Sequence, residues 1–138
     1  MRNRIVALIA AFAIPLFGIL GLAAPAVAAE KEVNYVTDID WYADSSRECY
    51  SVPAAVACVQ KNGDDIWIRD NTNEGAWVHV HWWDLDGSRF GTCTDNLGSS
   101  KVWTRCNKDW TDGHEIAWYV EYYDDGQWWS GFNQTTVV

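Results

Sequence analysis

The chain has 138 residues, enough for one domain and too few for two. Its 19 acidic residues against 10 basic ones give a net charge of −9. That balance opposes phosphate backbones and anionic lipid surfaces, so nucleic acid is excluded as a partner, and it suits solubility or a cationic patch on a partner protein.

In chain order, Arg2 and Arg4 precede an apolar run over residues 5–22, which leaves through Ala-Pro-Ala-Val-Ala-Ala before Glu30. A run of that length could just span a bilayer, but the small-residue exit and the abrupt polar switch favour a cleaved signal peptide over residues 1–29. An exported protein with no membrane segment after cleavage is therefore expected. Removing Arg2 and Arg4 leaves 8 basic against 19 acidic residues, a net charge of −11.

Residues 30–44 read either as a first strand or as an N-terminal arm free to engage another chain. In the second case Val33, Tyr35, Ile39 and Trp41 would dock into a partner by adding a strand to its sheet edge. Residues 45–138 read as a single β domain. The four cysteines, Cys49, Cys58, Cys93 and Cys106, all lie in the exported part, and an even count in a small exported domain reads as two disulfides. Three pairings are open; Cys49–Cys58 with Cys93–Cys106 is favoured because each pair is local and brackets a turn. Zinc is the poorer reading, since no Cys-x-x-Cys spacing occurs.

Residues 65–69 and 76–83 alternate apolar with polar, the mark of half-buried strands. In 76–83, Ala76, Val78, Val80 and Trp82 should face a core, and Trp77, His79, His81 and Trp83 the opposite side. Residues 115–123 repeat the scheme, with Ile116, Trp118, Val120 and Tyr122 inward and Ala117, Tyr119, Glu121 and Tyr123 outward. Asp84-Leu-Asp-Gly87 and Asp124-Asp-Gly126 signal hairpins. Shorter strand candidates cover 49–59, 89–94, 102–106 and 127–132, and helical periodicity is absent after residue 30. A faint echo links Cys58…Gly63…Ile66-Trp67 to Cys106…Gly113…Ile116-Ala-Trp118. The expected fold is all-β: a compact antiparallel β-sandwich, or a partly closed barrel, with two disulfides.

Catalytic signals are weak. His79 and His81 project side by side, but nothing fixes Asp84, Asp86 or Glu115 beside them as a third metal ligand, so no metal or cofactor is expected. No Gly-x-Ser-x-Gly elbow occurs, and disulfides consume the thiols. Asp64-Asp65, Asp84, Asp86 and Asp124-Asp125 read as turn formers, not calcium ligands. The chain is expected not to be an enzyme.

The ten tryptophans point elsewhere. An interior of this size holds several indoles but not ten, so some should lie on the surface and serve recognition. Trp77, His79, His81 and Trp83 form the preferred contact face, with Tyr119, Tyr123, Trp128 and Trp129 as second candidates. Rings of this kind suit a protein partner or the apolar faces of a carbohydrate.

The stretch Ala57-Cys-Val-Gln-Lys-Asn-Gly-Asp-Asp-Ile-Trp-Ile-Arg-Asp70, the Trp-rich strand after it, Asp86-Gly-Ser-Arg-Phe-Gly-Thr-Cys93 and Trp103-Thr-Arg-Cys106-Asn are similar to small exported proteins of filamentous actinobacteria. Over roughly residues 45–125 the chain resembles the adaptor subunit of umbrella toxin particles, which joins a lectin-bearing subunit to a large toxin scaffold. The resemblance implies a non-catalytic β domain whose segment 30–41 docks into a partner. The function expected is thus a secreted protein–protein adaptor in an extracellular, toxin-like complex, with a carbohydrate-binding module and a secreted hydrolase inhibitor as alternatives.

Overall fold

The computed structural model describes residues 28–41, 44–72 and 75–138; residues 1–27, the bulk of the expected signal peptide, lie outside the described residues. The described chain is all-β. Its strands are β1 (Glu32–Tyr35), β2 (Thr37–Asp38), β3 (Arg47–Ser51), β4 (Ala55–Gln60), β5 (Asp65–Asp70), β6 (Val78–Asp84), β7 (Phe90–Asp95), β8 (Thr104–Asn107), β9 (Glu115–Asp124), β10 (Gln127–Ser130) and β11 (Gln134–Val137). A single 3₁₀ turn, Gly98–Ser100, precedes β8. No helix among the described residues is long and apolar enough to cross a membrane.

Two sheets pack face to face. The front sheet runs β1-β7-β6-β9-β10, with β11 also pairing with β9, and the back sheet runs β2-β8-β5-β4-β3. Neither sheet closes on itself, so the fold is the sandwich and not the barrel. All pairings are antiparallel except β1 with β7.

Alternation explains the core. β6 and β9 send Val80, Trp82, Ile116, Trp118 and Val120 inward, onto Ala57, Val59, Ile66 and Ile68 of β4 and β5. Indole N–H groups need partners when buried, and two find them: Trp118 Nε1 donates to Thr136 Oγ1 at 3.1 Å, and Trp67 Nε1 to Gln60 Oε1 at 2.8 Å. The β9–β10 hairpin turns on Asp125 and Gly126, both at positive φ (50° and 80°), as a two-residue primed turn requires.

The disulfides are the two expected ones. Cys49–Cys58 links directly opposed residues of β3 and β4, with Cα atoms 4.0 Å apart. Cys93–Cys106 joins β7 to β8 and so ties one sheet to the other through the core. Closing a loop of that size contributes about 3 kcal/mol in the chain-entropy account.

Of the two readings of residues 30–44, the first strand is the one observed: β1 lies parallel to β7 on the front sheet, β2 pairs with β8 on the back sheet, and Val36 is buried between them. One backbone edge of the segment is therefore spent within the chain. Two other expectations need correction. The candidate strand 49–59 is a hairpin, because Pro53 cannot donate to a ladder and the chain reverses there. The candidate 127–132 stops at Ser130, and a further strand, β11, follows it.

Besides its ladder to β7, β1 is tied down by charged side chains. Glu32 pairs with Arg89 at 2.8 Å and with Lys108 at 3.7 Å, and Lys108 Nζ also donates to Asn34 Oδ1. Gly91, opposite Glu32, has no side chain for a reason: a Cβ there would sit 2.4 Å from the Glu32 carbonyl oxygen. The Lys108 ammonium is buried and lies 4.6 Å from the Trp82 ring centroid. Burial pushes its pKa down to about 8, outweighing the nearby Glu32 carboxylate.

Between pH 8 and the ordinary lysine value, the unfolded chain binds more protons at this site than the native one, so stability rises with pH in that window. Urea unfolding at pH 7.5 and pH 9.5 should show the native protein gaining about 1–2 kcal/mol relative to Lys108→Met over that step. Parallel pH dependence in the two proteins would contradict this account of Lys108.

Candidate functional site

The inward demands of β6 and β9 fix what faces out. The two strands pair in register, with His79 opposite Glu121, His81 opposite Tyr119 and Trp83 opposite Ala117. On the other flank of β6, β7 sets Thr94 against His79 and Thr92 against His81. Parallel β1 then adds Tyr35 beside Thr94 and Val33 beside Thr92. On the far flank β10 places Trp128 opposite Tyr123. The front sheet thus carries its aromatic and imidazole rings on its outer face, five strands or about 19 Å across.

The rings touch one another. His81 stacks on Tyr119 with centroids 4.9 Å apart, and Trp83 stacks on the same tyrosine at 5.7 Å. His79 lies 5.2 Å from Trp128, which meets Tyr123 edge-on at 5.5 Å. Trp77 meets Tyr35 edge-on at 6.2 Å. Even so, Trp77, Trp83 and Trp128 keep 47%, 39% and 49% of their surface in solvent. Trp67, Trp82, Trp110 and Trp118 are buried, so the ten indoles divide as their number requires.

Between Tyr35 and Trp77 on one side and His81 and Glu121 on the other runs a groove of about 280 Å³. Its floor is polar: His79 Nδ1 is 3.0 Å from Thr94 Oγ1, His81 Nδ1 is 3.3 Å from Thr92 Oγ1, and His81 Nε2 is 3.1 Å from Glu121 Oε2. Burial lowers the pKa of His79 against the opposing pull of Glu121, so its ring is neutral at pH 7. Burial and the neighbouring Glu121 raise that of Tyr119.

The expected site residues divide as follows. Trp77, His79, His81, Trp83, Tyr119, Tyr123 and Trp128 share the outer face of the front sheet. Trp129 does not: it pairs with inward-facing Tyr122, so it projects on the opposite side, where its Nε1 donates to the Asp124 carbonyl at 3.2 Å. Of the four residues assigned to a docking arm, Val33 and Tyr35 join the outer face. Trp41 lies on the back sheet, stacked on Trp103, and half-buried Ile39 lines the groove beside it.

Two of the three carboxylates weighed as third metal ligands, Asp84 and Asp86, are committed elsewhere. Asp84 points to the other side of β6 and accepts from His114 Nδ1 at 2.9 Å, while Asp86 caps the Glu115 amide at 2.8 Å. Among the described residues no group of three or more His, Cys, Asp or Glu side chains is arranged to hold a metal ion.

Sequence reasoning missed Thr92, Thr94 and the addition of Val33 and Tyr35. The first pair was within reach: Cys93 must face inward to form its disulfide, so its neighbours must face out. The second had no local signal, because it depends on a parallel pairing between segments some 60 residues apart. No family model matches the chain, and no curated protein or solved structure matches it either.

The depressed pKa of His79 has a measurable consequence. As pH falls below about 6.5, unfolded chains take up this proton before native ones, so stability is lost until His79 itself protonates. An imidazole NMR titration should place its midpoint below 6.5, and His79→Asn should lose less stability than the parent on acidification to pH 5. A midpoint at or above 6.5 would refute the burial assigned to this ring.

Proposed function

We propose that the chain is a non-catalytic, secreted interaction module, a protein–protein adaptor subunit of an extracellular toxin-like assembly, with the outer face of the front sheet as its contact surface. The observation that carries the reading is the uncovered aromatic face itself: Trp77, His79, His81, Trp83, Tyr119, Tyr123 and Trp128 on one side of one sheet, joined at its edge by Val33 and Tyr35. Antiparallel sheets ordinarily solvate their outer face with polar side chains. Aromatic rings there supply large contact area at low entropic cost, which is what protein interfaces use. The width supports a protein over a single sugar ring, since exposed rings reach from the β1 edge to β10.

Export is supported by the leader-like start of the sequence and by the absence of free cysteines. The resemblance to umbrella-toxin adaptors supports the same class of role.

One feature favours a second reading, carbohydrate binding: the groove has an aromatic rim and a polar floor of Thr92, Thr94 and Glu121, the reverse of the apolar core and polar rim of a protein interface. The two readings separate by experiment. The immobilised protein should retain a stoichiometric secreted protein from culture fluid, and Trp83→Ala or Trp128→Ala should weaken that partner about 30-fold, the loss of a hot-spot residue. Leu85→Ala, exposed on the β6–β7 turn, should bind as the parent does. Unchanged retention by both tryptophan variants would remove the face from consideration, and retention on polysaccharides alone would replace the adaptor with the sugar-binding reading.

A further inference from the structure

A second aromatic cluster lies on the back sheet, and it carries a different chemistry. Strands β2 and β8 pair only through Thr37↔Arg105 and Asp38↔Thr104. Beyond that point the two segments diverge, and the cleft between them is a groove of about 230 Å³ lined by Asp38, Asp40, Trp41, Lys101, Val102 and Trp103. Sites for drug-sized ligands run to about 300–1,000 Å³, so this one suits a single side chain.

One wall is indole. Trp41 stacks on Trp103 with centroids 4.0 Å apart and planes 23° from parallel. The Arg47 guanidinium lies 3.7 Å from the Trp41 centroid and 4.2 Å from that of Trp67, so the cluster already holds one cation against its π faces. The other wall carries the Asp38 and Asp40 carboxylates and the Lys101 ammonium, which leaves one carboxylate in excess. Asp38 is paired with Lys101 at 2.5 Å, whereas Asp40 is exposed and has no ion pair among the described residues.

We propose that this groove docks a lysine side chain carried on an extended peptide segment of a protein partner. The ammonium meets the Asp40 carboxylate and the indole of Trp103, two groups that attract a cation by independent means. The excess of acidic over basic residues, 19 against 10, steers a basic segment towards the molecule. The site lies on a different sheet from the aromatic face and does not depend on it.

The test uses two nonapeptides of threonine and valine, one with a central lysine and the other with that lysine Nε-acetylated. Indole N–H resonances of Trp41 and Trp103 should shift saturably with the first peptide and not with the second. Asp40→Asn should weaken the lysine peptide about fivefold or more, as should raising the salt to about 0.5 M, while Trp83→Ala leaves it unchanged. Asp40 is exposed, so its variant should retain the disulfide-bonded fold, checked by its β-sheet circular dichroism. Equal binding of the acetylated peptide, indifference to Asp40→Asn, no shift with either peptide, or shifts produced only by oligosaccharides would overturn the proposal.

Discussion

The in-register pairing of β6 with β9 constrains everything else in this molecule. Val80 opposite Val120 and Trp82 opposite Trp118 must face the back sheet, because all four belong to the core and the two indoles are among its largest side chains. Side chains alternate with period two, so the residues between them have only one place to go. A slip of one residue would bury His79, His81 and Glu121 and expose Trp82 and Trp118, a cost no folded chain of this size would survive. The aromatic outer face is therefore the obligatory complement of the core, written on the same two strands. What is not obligatory is its composition: the core demands that something face out, and this sequence puts tryptophan, tyrosine and histidine there.

A second layer of control comes from the edge. β1 widens the face by two residues, Val33 and Tyr35, and stays in place through the Glu32, Arg89 and Lys108 cluster and the close approach at Gly91. The segment that forms it also reaches the back sheet through β2, with buried Val36 between. One short stretch thus spans both sheets and brings Tyr35 to the aromatic face and Trp41 to the indole cluster on the other side. Cys93–Cys106 serves the same end covalently, linking the strand beneath the groove to the back sheet.

Much of this was legible in the sequence, and the legible parts share a physical reason. The strands and faces of 76–83 and 115–123 follow from strict alternation, the hairpins from Asp-Gly, and the disulfides from the short separations of their cysteines. These signals are local. The parts that were not legible are set by distant chain. Nothing near Glu32 announces partners at Arg89 and Lys108, and nothing near Val33 announces a parallel neighbour in β7. Trp67 alternates as though half-exposed, yet it is sealed on the back sheet by Trp41, Arg47 and Arg105. Trp129 adjoins Trp128 in sequence, but period two places the two on opposite faces of the sheet.

The account rests on the outer face of the front sheet being where this protein meets another molecule. Hydroxyl-radical footprinting of the protein, alone and in the culture fluid that should contain its partner, tests this most directly. Alone, Trp77, Trp83 and Trp128 should oxidise readily, while Trp67, Trp82 and Trp118 resist. In the presence of the partner the first three should become protected together. Uniform oxidation of all ten indoles would contradict the fold, and unaltered oxidation of Trp77, Trp83 and Trp128 in the bound protein would contradict the function.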